Sequence, residues 1–75
     1  MEQQVKQVLA DFLGLDAADV DESVASGNTA GWDSVTHLNI CLGLEQELQV
    51  TFAPEEMASM TSFRDILQVL RSRAG

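Results

Sequence analysis

Residues 33–37, Asp-Ser-Val-Thr-His, bring together a carboxylate, a hydroxyl and an imidazole, and Cys41 follows one helical turn after His37. Three chemistries are open to Ser34. It can be an ordinary helix-start residue, as small polar residues before an apolar run often are. It can be a hydrolytic nucleophile, with His37 three positions on and so a neighbour on a helix surface. That reading lacks the G-x-S-x-G elbow, an oxyanion pocket and a third residue to orient His37. Or it can be a covalent attachment point. A phosphate ester on a hydroxyl at a helix N-terminus meets free backbone N–H groups and the positive end of the helix dipole. A second cluster, Asp16, Asp19, Asp21 and Glu22, invites a calcium site. It lacks the spacing and central Gly of an EF-hand loop, so no metal is expected.

The elements that must position Ser34 follow from apolar spacing. Val5, Val8, Leu9, Phe12 and Leu13 recur as on one face of a helix over about residues 2–14, with Gly14 suited to its end. Residues 15–32 show no sustained period. They read as a long flexible loop, pinned by Leu15, Val20, Val24 and Trp32, that leaves Ser34 accessible. A second helix spans 34–48 with Asp33 as its N-cap. Pro54 opens a short third helix, with Glu55 and Glu56 at its positive end. Thr61 or Ser62 caps a last helix carrying Phe63, Ile66, Leu67 and Leu70, with Arg71 and Arg73 near its negative end. Nothing alternates as a strand does. The expectation is all-α: a small antiparallel four-helix bundle, three longer helices plus one short, with the long loop between helices 1 and 2 and residues 1–75 forming a single domain.

Composition narrows the function classes. The chain has 75 residues and a net charge of −8. Phosphates repel such a surface, which argues against nucleic acid, whereas a basic protein surface is attracted to it. The single Cys allows no internal disulfide. No apolar run is long enough to insert in a membrane, and the start of the chain lacks a secretion-signal pattern, so a cytoplasmic monomer is expected.

The second helix is apolar on too many sides. Ile40, Cys41, Leu44 and Leu48, with His37 beside them, make one face, enough to pack a core. Val35, Leu38 and Leu42 make another at i, i+3 and i+7. Together the apolar arc covers roughly 220°, wider than a single buried stripe. The second stripe is expected to be at least partly exposed as a docking surface beside Ser34.

The segment GWDSVTHLNICLGLEQEL resembles the 4′-phosphopantetheine attachment region of acyl carrier proteins. The likeness covers the whole chain: a first helix ending LGLD, the long loop, a helix after Asp-Ser, a short helix after Pro54 and a last helix opening Thr61-Ser62-Phe63. It implies that Ser34 bears a 4′-phosphopantetheine arm whose thiol holds an acyl group as a thioester, in fatty acid or polyketide biosynthesis. It implies no catalysis by the chain itself. The partners it implies are a phosphopantetheinyl transferase, an acyl-loading ligase or transferase, and downstream enzymes with basic docking surfaces. By position, Asp33, Val35, Leu38, Leu42 and Glu45 become partner-binding. Trp32, His37, Ile40, Cys41 and Met57 become candidates to flank the arm or line an acyl pocket. Read without the resemblance, the same five are a loop anchor, a satisfied partly buried His, and core filling. Thr36, Asn39 and Gln46 stand where carriers of fatty acid synthesis often have acids, which points to a specialised pathway. Two alternatives stay open: an aminoacyl or peptidyl carrier on the same fold, against which Asp33 argues, and an unmodified acidic docking adaptor.

Overall fold

The computed structural model describes residues 2–74. Helix α1 runs Glu2–Leu13, α2 Ser34–Leu48, α3 Pro54–Ser59 and α4 Phe63–Ala74, with one 3-10 turn at Ala17–Asp19 inside the loop. α1 packs on α2 and α4, and α3 packs on α4. Among the described residues the only β pairing is an isolated bridge between Ala25 and Ser62, so the expected small helical bundle stands. No described helix is long and apolar enough to cross a membrane.

The ends of α1 and α2 and the starts of α3 and α4 have local reasons. Gly14, at φ +70°, ends α1, and the Leu15 amide reaches back to the Ala10 carbonyl at 3.0 Å. That pattern satisfies carbonyls the helix leaves open. α2 ends the same way, with the Val50 amide on the Glu45 carbonyl at 3.1 Å. Here the left-handed position is Gln49, at φ 54°, which a side chain makes costly. Of the two candidate caps for α4, Ser62 does the work: its Oγ accepts the Asp65 amide at 2.9 Å. Glu56 accepts the Ala53 amide at 2.8 Å to start α3. It also pairs with Arg73 at 2.8 Å, tying α4 to α3 at the surface.

The core joins Val5, Val8 and Leu9 of α1, Ile40, Cys41 and Leu44 of α2, and Phe63, Ile66, Leu67 and Leu70 of α4. Val20, Val24 and Trp32 enter it from the loop, and Met60 closes it from the α3–α4 turn. Phe12, expected on the buried face of α1, is 45% exposed. Its ring lies across the bare backbone of Gly43, where an added Cβ would stand 2.7 Å from Phe12 Cε2, so only one side of the ring is covered.

The loop is more firmly held than its composition suggests. Asn28 bonds to the Ser23 carbonyl at 2.8 Å and accepts the Ala25 amide at 3.1 Å. The Ser26 amide donates to the Thr61 carbonyl at 2.8 Å, and the Phe63 amide donates to the Val24 carbonyl at 3.0 Å. Ser34 is therefore accessible because it sits at an exposed helix start, not because the loop before it is loose.

Candidate functional site

The entry into α2 divides labour between two neighbours. Asp33 is the N-cap: its Oδ1 accepts the Thr36 amide at 2.8 Å. That N–H holds the Asp33 carboxyl below the usual carboxylate range, because hydrogen bonding favours the charged form. Ser34, the first residue of the helix, is exposed and is not used as the cap. Its hydroxyl is left free at the positive end of a helix of 15 residues.

Beside it lies an open cleft of about 470 Å³ lined by Ser26, Trp32, Asp33, Ser34, His37 and Thr61. Trp32 is 5% exposed, and its indole Nε1–H donates to His37 Nδ1 at 3.1 Å. On its other side His37 Nε2 lies 2.8 Å from the Met57 carbonyl. An indole N–H can only donate and a carbonyl can only accept, so the imidazole carries its proton on Nε2. The two rings sit 6.2 Å apart between centroids with a 23° tilt. With an edge-to-edge hydrogen bond this is a side-by-side arrangement and not a face-to-face stack. Both ring nitrogens of His37 are thus committed to Trp32 and Met57, so the imidazole is not turned to Ser34 as a general base would be.

Cys41 is fully buried, with Sγ 3.8 Å from His37 Nε2. Burial pushes its thiol above the usual range, and the Glu45 carboxylate adds to the effect. It is a core residue and a poor nucleophile. Ile40 is equally buried, and neither residue lines the Ser34 cleft. Met57 is half-buried and meets the site through its backbone carbonyl. Among the described residues no three His, Cys, Asp or Glu side chains converge. In the acidic loop, Asp21 accepts the Ser23 amide at 2.9 Å, forming a turn.

The extra stripe of α2 faces solvent: Val35 is 69% exposed, Leu38 52% and Leu42 49%. Glu45 stands apart from them, because its Oε2 accepts the Phe52 amide at 2.7 Å and so holds the α2–α3 connection. No Lys or Arg lies on α2, where Asp33, Glu45 and Glu47 are the charged residues at and along the helix. Sequence reasoning missed Ser26 and passed over Thr61 as a cleft wall. They reach the site through backbone pairing between segments some 35 positions apart, including the Ser26–Thr61 bond, for which no local pattern exists.

A family model described as a phosphopantetheine attachment site matches residues 3–70. Polyketide-8 synthase acyl carrier protein 2 of Streptomyces avermitilis is 33% identical over 73 residues, 97% of this chain and 84% of that protein. An acyl carrier protein of Clostridium acetobutylicum is 26% identical over 70 residues, covering 93% of this chain and 91% of its own. One of Solidesulfovibrio magneticus is 25% identical over 73 residues, covering 97% and 94%.

Proposed function

Because this chain belongs to the acyl carrier protein family, whose members carry a covalent 4′-phosphopantetheine, we propose that Ser34 is the attachment residue and that the chain presents acyl cargo to partner enzymes. The observation that carries this reading is the division of labour at the head of α2. Asp33 supplies the cap and Ser34 keeps an exposed hydroxyl at the positive end of the helix. The residues fit the group: the hydroxyl can be esterified without unmaking the cap, and the cleft beside it gives a chain room to lie. When attached, the group supplies a terminal thiol that holds cargo as a thioester.

The chain's own residues orient and recruit. Asp33, exposed and ionised, flanks Ser34 and favours a transferase with a basic surface. Val35, Leu38 and Leu42 form the apolar centre of a docking face with acids at its edge. With its carboxylate bound to Phe52, Glu45 contributes charge to that face more than a direct contact. The uncharged Thr36, Asn39 and Gln46, together with a polyketide synthase carrier among the relatives, favour a specialised polyketide-type pathway.

Incubation with a broad-specificity phosphopantetheinyl transferase and coenzyme A should add one arm by intact mass, and Ser34→Ala should abolish the addition. An unmodified docking adaptor would instead keep all its partner binding and biological activity in Ser34→Ala, because the exposed stripe stands without the serine.

A further inference from the structure

We infer that the outer face of α4 is a second recognition surface, suited to an acidic segment of a partner protein and separate from the α2 face. α4 carries three of the four basic residues of the chain and one of its twelve acids. Two of the four bases serve the fold. Lys6 Nζ lies 5.9 Å from the centre of the Phe63 ring. Arg73 pairs with Glu56 at 2.8 Å and lies over the Phe52 ring at 5.6 Å. Arg64 and Arg71 are exposed, and among the described residues neither enters an ion pair. The helix itself accounts for only one of them. Arg71 sits in the last turn, where a cation meets the negative end of the dipole, whereas Arg64 sits in the first, where a cation is disfavoured.

The two guanidiniums share an open cleft of about 470 Å³, lined by Glu22, Arg64, Gln68, Arg71 and Ser72. Arg64, Gln68 and Arg71 fall at i, i+4 and i+7, one stripe of the helix. Seven positions at roughly 1.5 Å each set the two arginine backbones about 10 Å apart. No lining residue is shared with the Ser34 cleft, so occupying one does not use up the other. The charges select the occupant. A compact anion such as phosphate would face the Glu22 carboxylate as well as the arginines, on a chain of net charge −8. An acidic segment spreads its charge. Carboxylates spaced like the arginines can each take one guanidinium fork, and a base beside them answers Glu22. The Gln68 amide and Ser72 hydroxyl add neutral hydrogen-bonding groups.

The test titrates an alanine-based helical peptide, with glutamates seven positions apart and a lysine midway, into the isotope-labelled full chain. Backbone amide signals of Arg64, Gln68 and Arg71 should shift, while those of Val35, Leu38 and Leu42 stay in place. Binding should weaken as salt rises. Arg64→Gln combined with Arg71→Gln, both at exposed positions and checked for an unchanged circular dichroism spectrum, should weaken it at least tenfold. The same peptide with glutamine for each glutamate should leave α4 unmoved, as should inorganic phosphate. No shift at α4, shifts centred on α2, an equal response to phosphate, or undiminished binding by the double variant would overturn the inference. The unmodified chain is used throughout, so the outcome is independent of whether Ser34 accepts an arm.

Discussion

Replacing His37 by Leu isolates the relay that holds the loop to the bundle. The leucine side chain is apolar and of similar bulk, so the space stays filled but both hydrogen bonds go. Trp32 is 5% exposed, so its indole N–H is left without water or partner, a loss of about 1–3 kcal/mol. The Met57 carbonyl belongs to a half-buried residue that water can reach, so losing its bond costs nearer 0.5 kcal/mol, the low end of roughly 0.5–1.5 kcal/mol. The net expectation is about 2–3 kcal/mol. For 75 residues, at about 0.05–0.15 kcal/mol each, total stability is about 4–11 kcal/mol. Between about a fifth and three quarters of it is therefore at stake. At roughly 4–8 °C per kcal/mol the melting temperature should fall by about 10–20 °C. Far-UV circular dichroism through urea and thermal unfolding measures this, and Trp32→Phe with the double variant completes a cycle whose coupling should reach about 1 kcal/mol. A loss under about 0.5 kcal/mol, or additive single changes, would refute the assignment of this bond.

Leu38→Ser should leave stability within about 0.5 kcal/mol, since the side chain is half in solvent. It should weaken docking to a loading enzyme by roughly 10–100-fold in titration of the complex, the size expected for an apolar anchor. Gln49→Gly should stabilise by about 0.5–1 kcal/mol in urea unfolding, because relief of the left-handed strain exceeds the added chain entropy. Asp33 has its folded pKa depressed, chiefly by the Thr36 amide. Its contribution is complete above the unfolded carboxylate pKa and disappears as pH falls through the folded value. Asp33→Ala should therefore be less stable than the parent near neutrality and converge with it in strong acid, as followed by urea midpoints against pH.

What was legible in the sequence, and what was not, divides along local and non-local lines. The start and stop of α2 follow from Asp33 and from the apolar spacing, and the structure places the helix at Ser34–Leu48. The excess stripe could be seen because a bundle this small cannot surround a helix, and Val35, Leu38 and Leu42 are exposed. Val20, Val24 and Trp32 were readable as anchors because they are isolated apolar residues in a polar loop. Phe12 was misplaced because the wheel cannot know that Gly43 faces it with bare backbone. The left-handed Gln49 carries no glycine to announce it. Glu45 looked like a free surface acid until the fold brought the Phe52 amide within 2.7 Å. The Trp32–His37–Met57 relay and the Ser26–Thr61 tie join distant segments, and no period or motif encodes them. The capping by Asp33 and the exposed start of α2 at Ser34 were thus readable locally, whereas the cleft that flanks them required the fold.

The central claim is that Ser34 carries the arm. Intact mass followed by peptide mapping, after incubation with coenzyme A and a broad-specificity phosphopantetheinyl transferase, tests it most directly. The account predicts the mass of one arm, located on the peptide containing Ser34 and absent from Ser34→Ala. No gain with several active transferases, or a gain mapped to another serine such as Ser26 or Ser62, would contradict it.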